Sequence, residues 1–219
     1  RNKRAVIASL GAGRMGRGIA HAFAYAGHEV WLVDIKPRSK AQATKLEREA
    51  MADVKASLAG LAFDATCSLA LFDAQGQPAT VSTTGEARWN VVMWADHRAI
   101  AEAGEMTATG HRVLDYVGGT MSAEMELPKL LWLKRNLPSA WARYALALDL
   151  ADYLLWRSCG RPVVSACTVT CKWTYLNHEP SPWQRDFLAR VGLEDAPVRL
   201  RFPETARPIG ESAGTITPE

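Results

Sequence analysis

Several things are scarce in this chain, and each scarcity narrows what it can be. Its longest apolar stretches reach about ten residues, well short of the ~20 that carry a helix across a bilayer. No run of basic residues reaches five, and 26 Lys and Arg against 23 Asp and Glu leave a net charge of only +3. That balance supplies no electrostatic footprint for nucleic acid. The four cysteines, Cys67, Cys159, Cys167 and Cys171, include no Cys-x-x-Cys pair. Cys167 and Cys171 stand four apart, which suits either neighbours on a helix or core thiols. No Cys or His spacing fits a metal site, so none is expected. The N-terminus "RNKRAVIASLGAG" lacks the apolar core and small-residue cleavage site of a secretory leader. Reduced thiols in a cytoplasmic setting are the expectation.

What is present suits a globular protein. With 48% apolar and 22% charged residues, the 219 residues allow one large domain or two small ones.

The densest motif comes first. "RAVIASL" (4–10) has the β-branched, apolar character of a buried parallel strand. Gly11, Gly13 and Gly16 follow at G-x-G-x-x-G spacing. The first glycine permits a tight turn, the second lets backbone approach a pyrophosphate, and the third lets the next helix pack on the strand. The segment "RMGRGIAHAFAYAG" would be that helix, closed by Gly27, with its N-terminal N–H groups aimed at phosphate. "HEVWLVD" is a second strand ending in Asp34, whose carboxylate can accept from a ribose hydroxyl and so favours NAD; Lys36 and Arg38 leave room for a 2′-phosphate. The competing reading keeps the glycines for packing alone.

This wording, "GAGRMGRGIAHAFAYAGHEVWLVD", resembles the N-terminus of the 3-hydroxyacyl-CoA dehydrogenase family up to about residue 60, through "SKAQATKLEREAMADVKASLAGL". The resemblance implies a Rossmann-like βαβα unit over residues 1–60 and NAD at Gly11, Gly13, Gly16 and Asp34. It also implies a catalytic His–Glu pair and a helical dimerisation domain, neither of which can be placed. His97, His111 and His178 sit in segments of another character.

From about Gly60 the pattern changes. "GLAFDATCSLALFDAQGQPAT" reads as two strands about a turn at 73–76, and "NVVMWAD" as another strand. "HRAIAEAGEMTATG" and "LDLADYLLWRSCG" read as helices closed by Gly110 and Gly160. "SAEMELPKLLWLKRNLPSAW" reads as a helix with Ser122 as its N-cap, and "SPWQRDFLARVGL" as a short helix capped by Ser181. "VSACTVTCKWTYL" is ambiguous between strand and loop, and the tail from Ala196 reads as irregular.

The segments "FDATCSLALFDAQGQP", "WADHRA", "ATGHRVLDYVGG", "PKLLWLKRNLP", "DLADYLLWR" and "CTVTCKWTYLNHE" resemble the FGGY family of carbohydrate kinases, and within it the pentulose kinases, over residues 61–219. The resemblance implies a ribonuclease-H-like α/β domain, one of two that close around sugar and ATP. It implies a sugar site at Asp64, Thr66 and Cys67, at Asp96, His97 and Arg98, and at Lys172. Carboxylates and guanidinium groups suit a polyhydroxy ligand through charge-assisted hydrogen bonds. The competing readings are a helix cap and surface ion pair for Asp96 and Arg98, a solvated Lys172, capping or surface roles for His111 and His178, and core packing for Trp132.

Two parts of that family's machinery cannot be placed. One is the N-terminal Asp-x-Gly-Thr phosphate hairpin; the other is the Asp base of a second domain, expected beyond "SAGTITPE". ATP and Mg²⁺ are therefore expected only if a missing domain is supplied. At the junction, "VKASLAG" runs into "LAFDATC" without a Pro-, Gly- or Ser-rich linker. A strand at 61–67 would then join strand 4–10 or 29–34. The expected fold is α/β: the Rossmann-like unit running into a partial ribonuclease-H-like mixed sheet with helices on both faces. Two partial domains with open sheet edges, able to pair as a homodimer, are the alternative.

Three functional readings follow. The first is a pentulose-kinase sugar-binding domain, catalytically incomplete, with a ketopentose as ligand. The second is an NAD-binding dehydrogenase fragment, with a dinucleotide as ligand. The third is a recombined or designed chain with a fold and no activity. None involves nucleic acid or membrane.

Overall fold

The computed structural model describes residues 6–10, 20, 24, 29–33, 37, 39–56, 62–63 and 65–217. The chain divides into two compact units, Arg1–Ala62 and Phe63–Glu219.

In the first unit, β1 (Val6–Leu10) and β2 (Glu29–Val33) pair in parallel, from Val6 opposite Glu29 to Leu10 opposite Val33. Helix α1 (Lys40–Ala56) follows. Ser39 and Gln42 start it reciprocally: Ser39 N–H donates to Gln42 Oε1 at 3.1 Å, and Gln42 N–H to Ser39 Oγ at 3.4 Å. Such a capping box satisfies two N–H groups that the helix cannot. Gly11, Gly13, Gly16 and Asp34 lie outside the described residues.

The second unit is built on a three-stranded sheet in the order β4–β3–β5. β3 (Leu69–Phe72) lies between β4 (Val91–Val92) and β5 (Leu146–Asp149), antiparallel to both. Two expectations are corrected here. The strand expected at 61–67 starts at Leu69, because Ser68 N–H is turned back to Thr66 C=O at 2.8 Å and is lost to a ladder. The described strands also form two separate sheets, the second wholly antiparallel, rather than one mixed sheet. β5 escapes sequence reading: its four residues run straight into the helix that begins at Leu150, leaving no turn signal to mark it.

All four residues of β3 and of β5 are buried, because both sheet faces are covered. Leu69, Leu71, Val92 and Ala147 join the main core with Leu127, Leu130 and Leu133. Ala70, Phe72, Leu146 and Leu148 form a second cluster on the other face, under Tyr153 and Trp156. The turn after β3 is held by Asp73, whose Oδ1 accepts from the N–H groups of Gln75 and Gln77, each at 2.9 Å. The second arm of the expected hairpin is reduced to a bridge between Phe72 and Pro78.

The helices are α2 (Ile100–Ala108), α3 (Glu126–Asn136), α4 (Pro138–Trp141), α5 (Leu150–Cys159), α6 (Ala166–Lys172), α7 (Arg185–Arg190) and α8 (Ala196–Arg199). α6 settles the ambiguous "VSACTVTCKW" segment. Ser165 caps it, accepting from Cys167 N–H at 3.2 Å, and Thr168 is tied to Asp152 at 2.7 Å. Tertiary bonds thus override its β-branched bias. Cys167 and Cys171 are exposed on this helix rather than buried as core thiols. Gln184, not Ser181, stands at the cap position of α7, and Met125, not Ser122, at that of α3. Among the described residues no helix is long and apolar enough to cross a membrane.

Candidate functional site

The sheet register determines where the chemistry gathers. Leu69 lies opposite both Val92 and Asp149, so the start of β3, the end of β4 and the end of β5 share one edge of the sheet. Residues 66–68 enter β3 there and residues 93–98 leave β4 there. Ser68 Oγ joins them, accepting from Trp94 N–H at 3.1 Å. Lys172 ends α6, and the next residue reaches the same edge: Trp173 Nε1 donates to Asp149 Oδ2 at 2.9 Å. Thr174 then takes a φ of 59°, an outlier for a β-branched residue, which fixes the turn behind Lys172.

Thr66, Cys67, Asp96, His97, Arg98 and Lys172 are thereby gathered at this edge, while Asp64 lies outside the described residues. Their surroundings differ. Asp96 accepts from Arg98 N–H at 3.0 Å and pairs with its guanidinium, at 3.0 and 2.9 Å from Nε and 2.8 Å from the terminal nitrogen. Burial works against ionisation of Asp96, but the Arg98 hydrogen bonds outweigh it and hold the carboxyl below its ordinary range. Arg98 also donates to Val81 C=O at 3.2 Å and lies 4.4 Å from the centre of the Trp132 ring. The Asp96–Arg98 pair therefore braces its own loop. His97 faces outward, 3.4 Å from Glu124. Cys67 is half-buried, and burial followed by the charge of Asp149 pushes its thiol up to about 11. It stays protonated and is no nucleophile.

Sequence reading missed the buried part of the site. Glu126 and Lys129, one turn apart on α3, are 0% and 2% exposed and pair at 3.3 Å. Burial, then the charge of Asp149, drives the Glu126 carboxyl well above its ordinary range against the pull of Lys129. Asp149 is 1% exposed; burial raises it to about 7 despite the Trp173 hydrogen bond. Asp152 is raised by burial to about 6, partly offset by Thr168 and Ser165. One signal was there to find: Glu-x-x-Lys embedded in "MELPKLLWL", where apolar neighbours on every side put the pair in the core.

A crevice lined by Val92, Asp96, Arg98, Lys129 and Trp132 opens on this side. Beside it stand acidic and basic groups of both kinds, Arg98, Asp96, Lys129 and Glu126, then Asp149 and Lys172. Such a set, with Thr66 and Ser68 hydroxyls beside it, offers both donors and acceptors to a polyhydroxy molecule.

His111 has the capping role expected of it: its Nδ1 accepts from Val113 N–H at 3.2 Å at the start of the 3₁₀ turn Arg112–Val117.

Comparison with solved structures shows the fold. A xyloylose kinase from Brucella ovis superposes with a TM-score of 0.55 at 21% identity, over 84% of this chain and 38% of that one. The α/β fold is that of a sugar kinase. Residues 69–219 match the N-terminal domain of the FGGY family of carbohydrate kinases, and the chain belongs to that family. Residues 6–77 match the NAD binding domain of 3-hydroxyacyl-CoA dehydrogenase, further than the sequence resemblance to about residue 60. An FGGY carbohydrate kinase domain-containing protein of Xenopus laevis is 49% identical over 138 residues, 62% of this chain and 24% of the relative. A D-ribulokinase of Saccharomyces cerevisiae is 37% identical over 142 residues, again 62% of this chain and 20% of the relative. The chain thus spans about a quarter or less of the length of these relatives.

Proposed function

We propose that the second unit is the sugar-binding half of a carbohydrate kinase and that its ligand is a ketopentose. The observation that carries this reading is the convergence of Thr66, Cys67, Asp96, His97, Arg98 and Lys172 on one sheet edge, with buried charge behind them. Exposed His97 and half-buried Lys172 would meet the sugar hydroxyls; Asp96 and Arg98 hold the loop that presents His97. Kinship to a D-ribulokinase and the fold of a xyloylose kinase support a pentulose as the ligand class. ATP with Mg²⁺ would supply the transferred phosphoryl group. Among the groups facing the crevice, the Asp96 carboxylate is committed to Arg98, and Asp149 is buried behind them, so neither is offered as the base for an attacking hydroxyl. Phosphoryl transfer would therefore need residues beyond this set, and the chain alone binds sugar without turning it over.

A second reading concerns the first unit. The family match over residues 6–77 and the parallel pairing of β1 with β2, as a βαβ crossover produces, support NAD binding there. The proposed contacts are Gly11, Gly13, Gly16 and Asp34.

Calorimetric titration with D-ribulose, ATP and NAD⁺ separates these readings. Ribulose binding that is lost in Lys172→Ala supports the first, and NAD⁺ binding that is lost in Gly13→Val supports the second. Silence with all three ligands, in a sample that melts cooperatively, would refute both and leave a folded chain without ligand. ATP-dependent phosphorylation of ribulose in a coupled assay would overturn the incompleteness.

A further inference from the structure

Two buried carboxylate oxygens at the sheet edge have no hydrogen-bond partner among the described residues. Glu126 commits Oε1 to Lys129 and leaves Oε2 open; Asp149 commits Oδ2 to Trp173 and leaves Oδ1 open. Burying an acceptor without a donor is costly, so a donor is expected close by. The neighbouring groups come from four elements. Lys129 on α3 already serves Glu126, and Asp152 on α5 accepts from Ser165 and Thr168. Cys67, ahead of β3, is a thiol and a weak donor. Lys172 on α6 remains. It is half-buried, makes no hydrogen bond or salt bridge among the described residues, and its charge acts on Glu126, Asp149 and Cys67 together.

We infer that Glu126 and Asp149 are positioning residues for Lys172: their two open oxygens hold its ammonium through a bridging water at the mouth of the sugar site. A lysine has a flexible four-carbon stem and three rotatable donors. Left alone, it would sample many directions. Two fixed carboxyl oxygens beneath it leave one favoured direction, and an ammonium with three donors can face them and still donate to a ligand hydroxyl. The Trp173–Asp149 hydrogen bond adds to this, because it fixes the residue next to Lys172 to one of the two carboxyl groups. The ligand half of this inference rests on the ketopentose reading; the holding of Lys172 is a property of the free protein.

The test uses the full chain. Trace acetylation with acetic anhydride at pH 8, read on the Lys172 peptide by mass spectrometry, reports how well that amine is held. Lys45, 79% exposed on α1, is the internal control. In Asp149→Asn and Glu126→Gln, which keep shape, the Lys172 rate rises about fivefold against Lys45, because a side chain released from these carboxyl oxygens meets the reagent more freely. The same variants weaken ribulose binding. A Lys172 rate unchanged in either variant, in a sample that melts cooperatively, overturns the inference whether or not ribulose binds. A raised rate with no ribulose binding to the parent protein upholds the anchoring and overturns the sugar reading.

Discussion

The indole of Trp173 donates to Asp149 across 2.9 Å, joining the end of α6 to the end of β5. Trp173 also packs edge-on against Phe202 at 5.3 Å. This bond is the only hydrogen bond to the Asp149 carboxylate among the described residues. Trp173→Phe keeps the aromatic packing and removes the donor. Unfolding in urea at pH 8 should show a loss of about 1–3 kcal/mol, the cost of stripping a buried acceptor. At pH 5 the loss should be smaller, because Asp149 is then protonated. An equal loss at both pH values would show that packing alone is at work.

Asp149 also sets a slope of stability with pH. Its folded-state value of about 7 lies above the ordinary carboxylate range, so the folded chain holds this proton more tightly than the unfolded chain. The stability it contributes is complete below the unfolded value near 4 and is lost as pH rises through about 7. Asp152, at about 6, and Glu126 act in the same direction. Asp96 and Asp195 are shifted downward and act at more acid pH, below this window. Between pH 5 and pH 8 the protein should therefore lose on the order of a few kcal/mol of unfolding free energy. Asp149→Asn should remove about 1 kcal/mol or more of that loss. Denaturation curves at the two pH values decide it, and a variant with the parent slope would place the titration elsewhere.

Arg98 is held by three different partners: Asp96, Val81 C=O and the face of Trp132. A lysine cannot reproduce the planar fork or the stacking. Arg98→Lys should cost about 1–2 kcal/mol of stability despite conserving charge. It should also weaken ribulose binding through the disturbed His97 loop. Trp132→Leu should reproduce part of the stability loss. If Arg98→Lys melts like the parent protein, the brace is not there.

Tyr144 is buried, and its hydroxyl donates to Thr80 C=O at 2.8 Å, fastening the segment before β5 to the one between β3 and β4. Tyr144→Phe should cost about 1–2 kcal/mol in thermal or urea unfolding, with secondary structure by circular dichroism unchanged. No loss would mean that a water replaces the contact.

Gly160 closes α5 at a φ of 72°, and a Cβ there would meet Thr217 Cγ2 at 3.2 Å. Gly160→Ala should cost about 1 kcal/mol or more from the left-handed backbone alone. Gly104, with φ outside that region and open space at its Cβ, should gain stability on substitution by Ala in α2. Opposite signs for the two variants are the expected result in parallel melts.

Much of this was legible in the residues. The closing glycines of α2 and α5, the Asp73 turn and the family wording of 61–219 all follow local rules, in which a residue's own backbone preference or a neighbour three or four positions away decides the outcome. Local rules also gave the G-x-G-x-x-G reading of the first unit, whose residues Gly11, Gly13, Gly16 and Asp34 are not among those described. What local rules could not give was β5, which four apolar residues ahead of a helix do not announce. They could not give α6 either, whose β-branched run is held helical by Asp152, thirteen or more positions away. The apolar neighbours of Glu126 and Lys129 do mark that pair locally, but no local rule finds the buried Asp149 beside it. A charged residue in the core is recognised by its surroundings, and those come from strands and helices far apart in the chain. Composition alone says which chemistry is available: lysines, carboxylates, hydroxyls and thiols. Which of them meet follows from the antiparallel register, which brings the ends of three strands to one edge and buries their groups away from screening water.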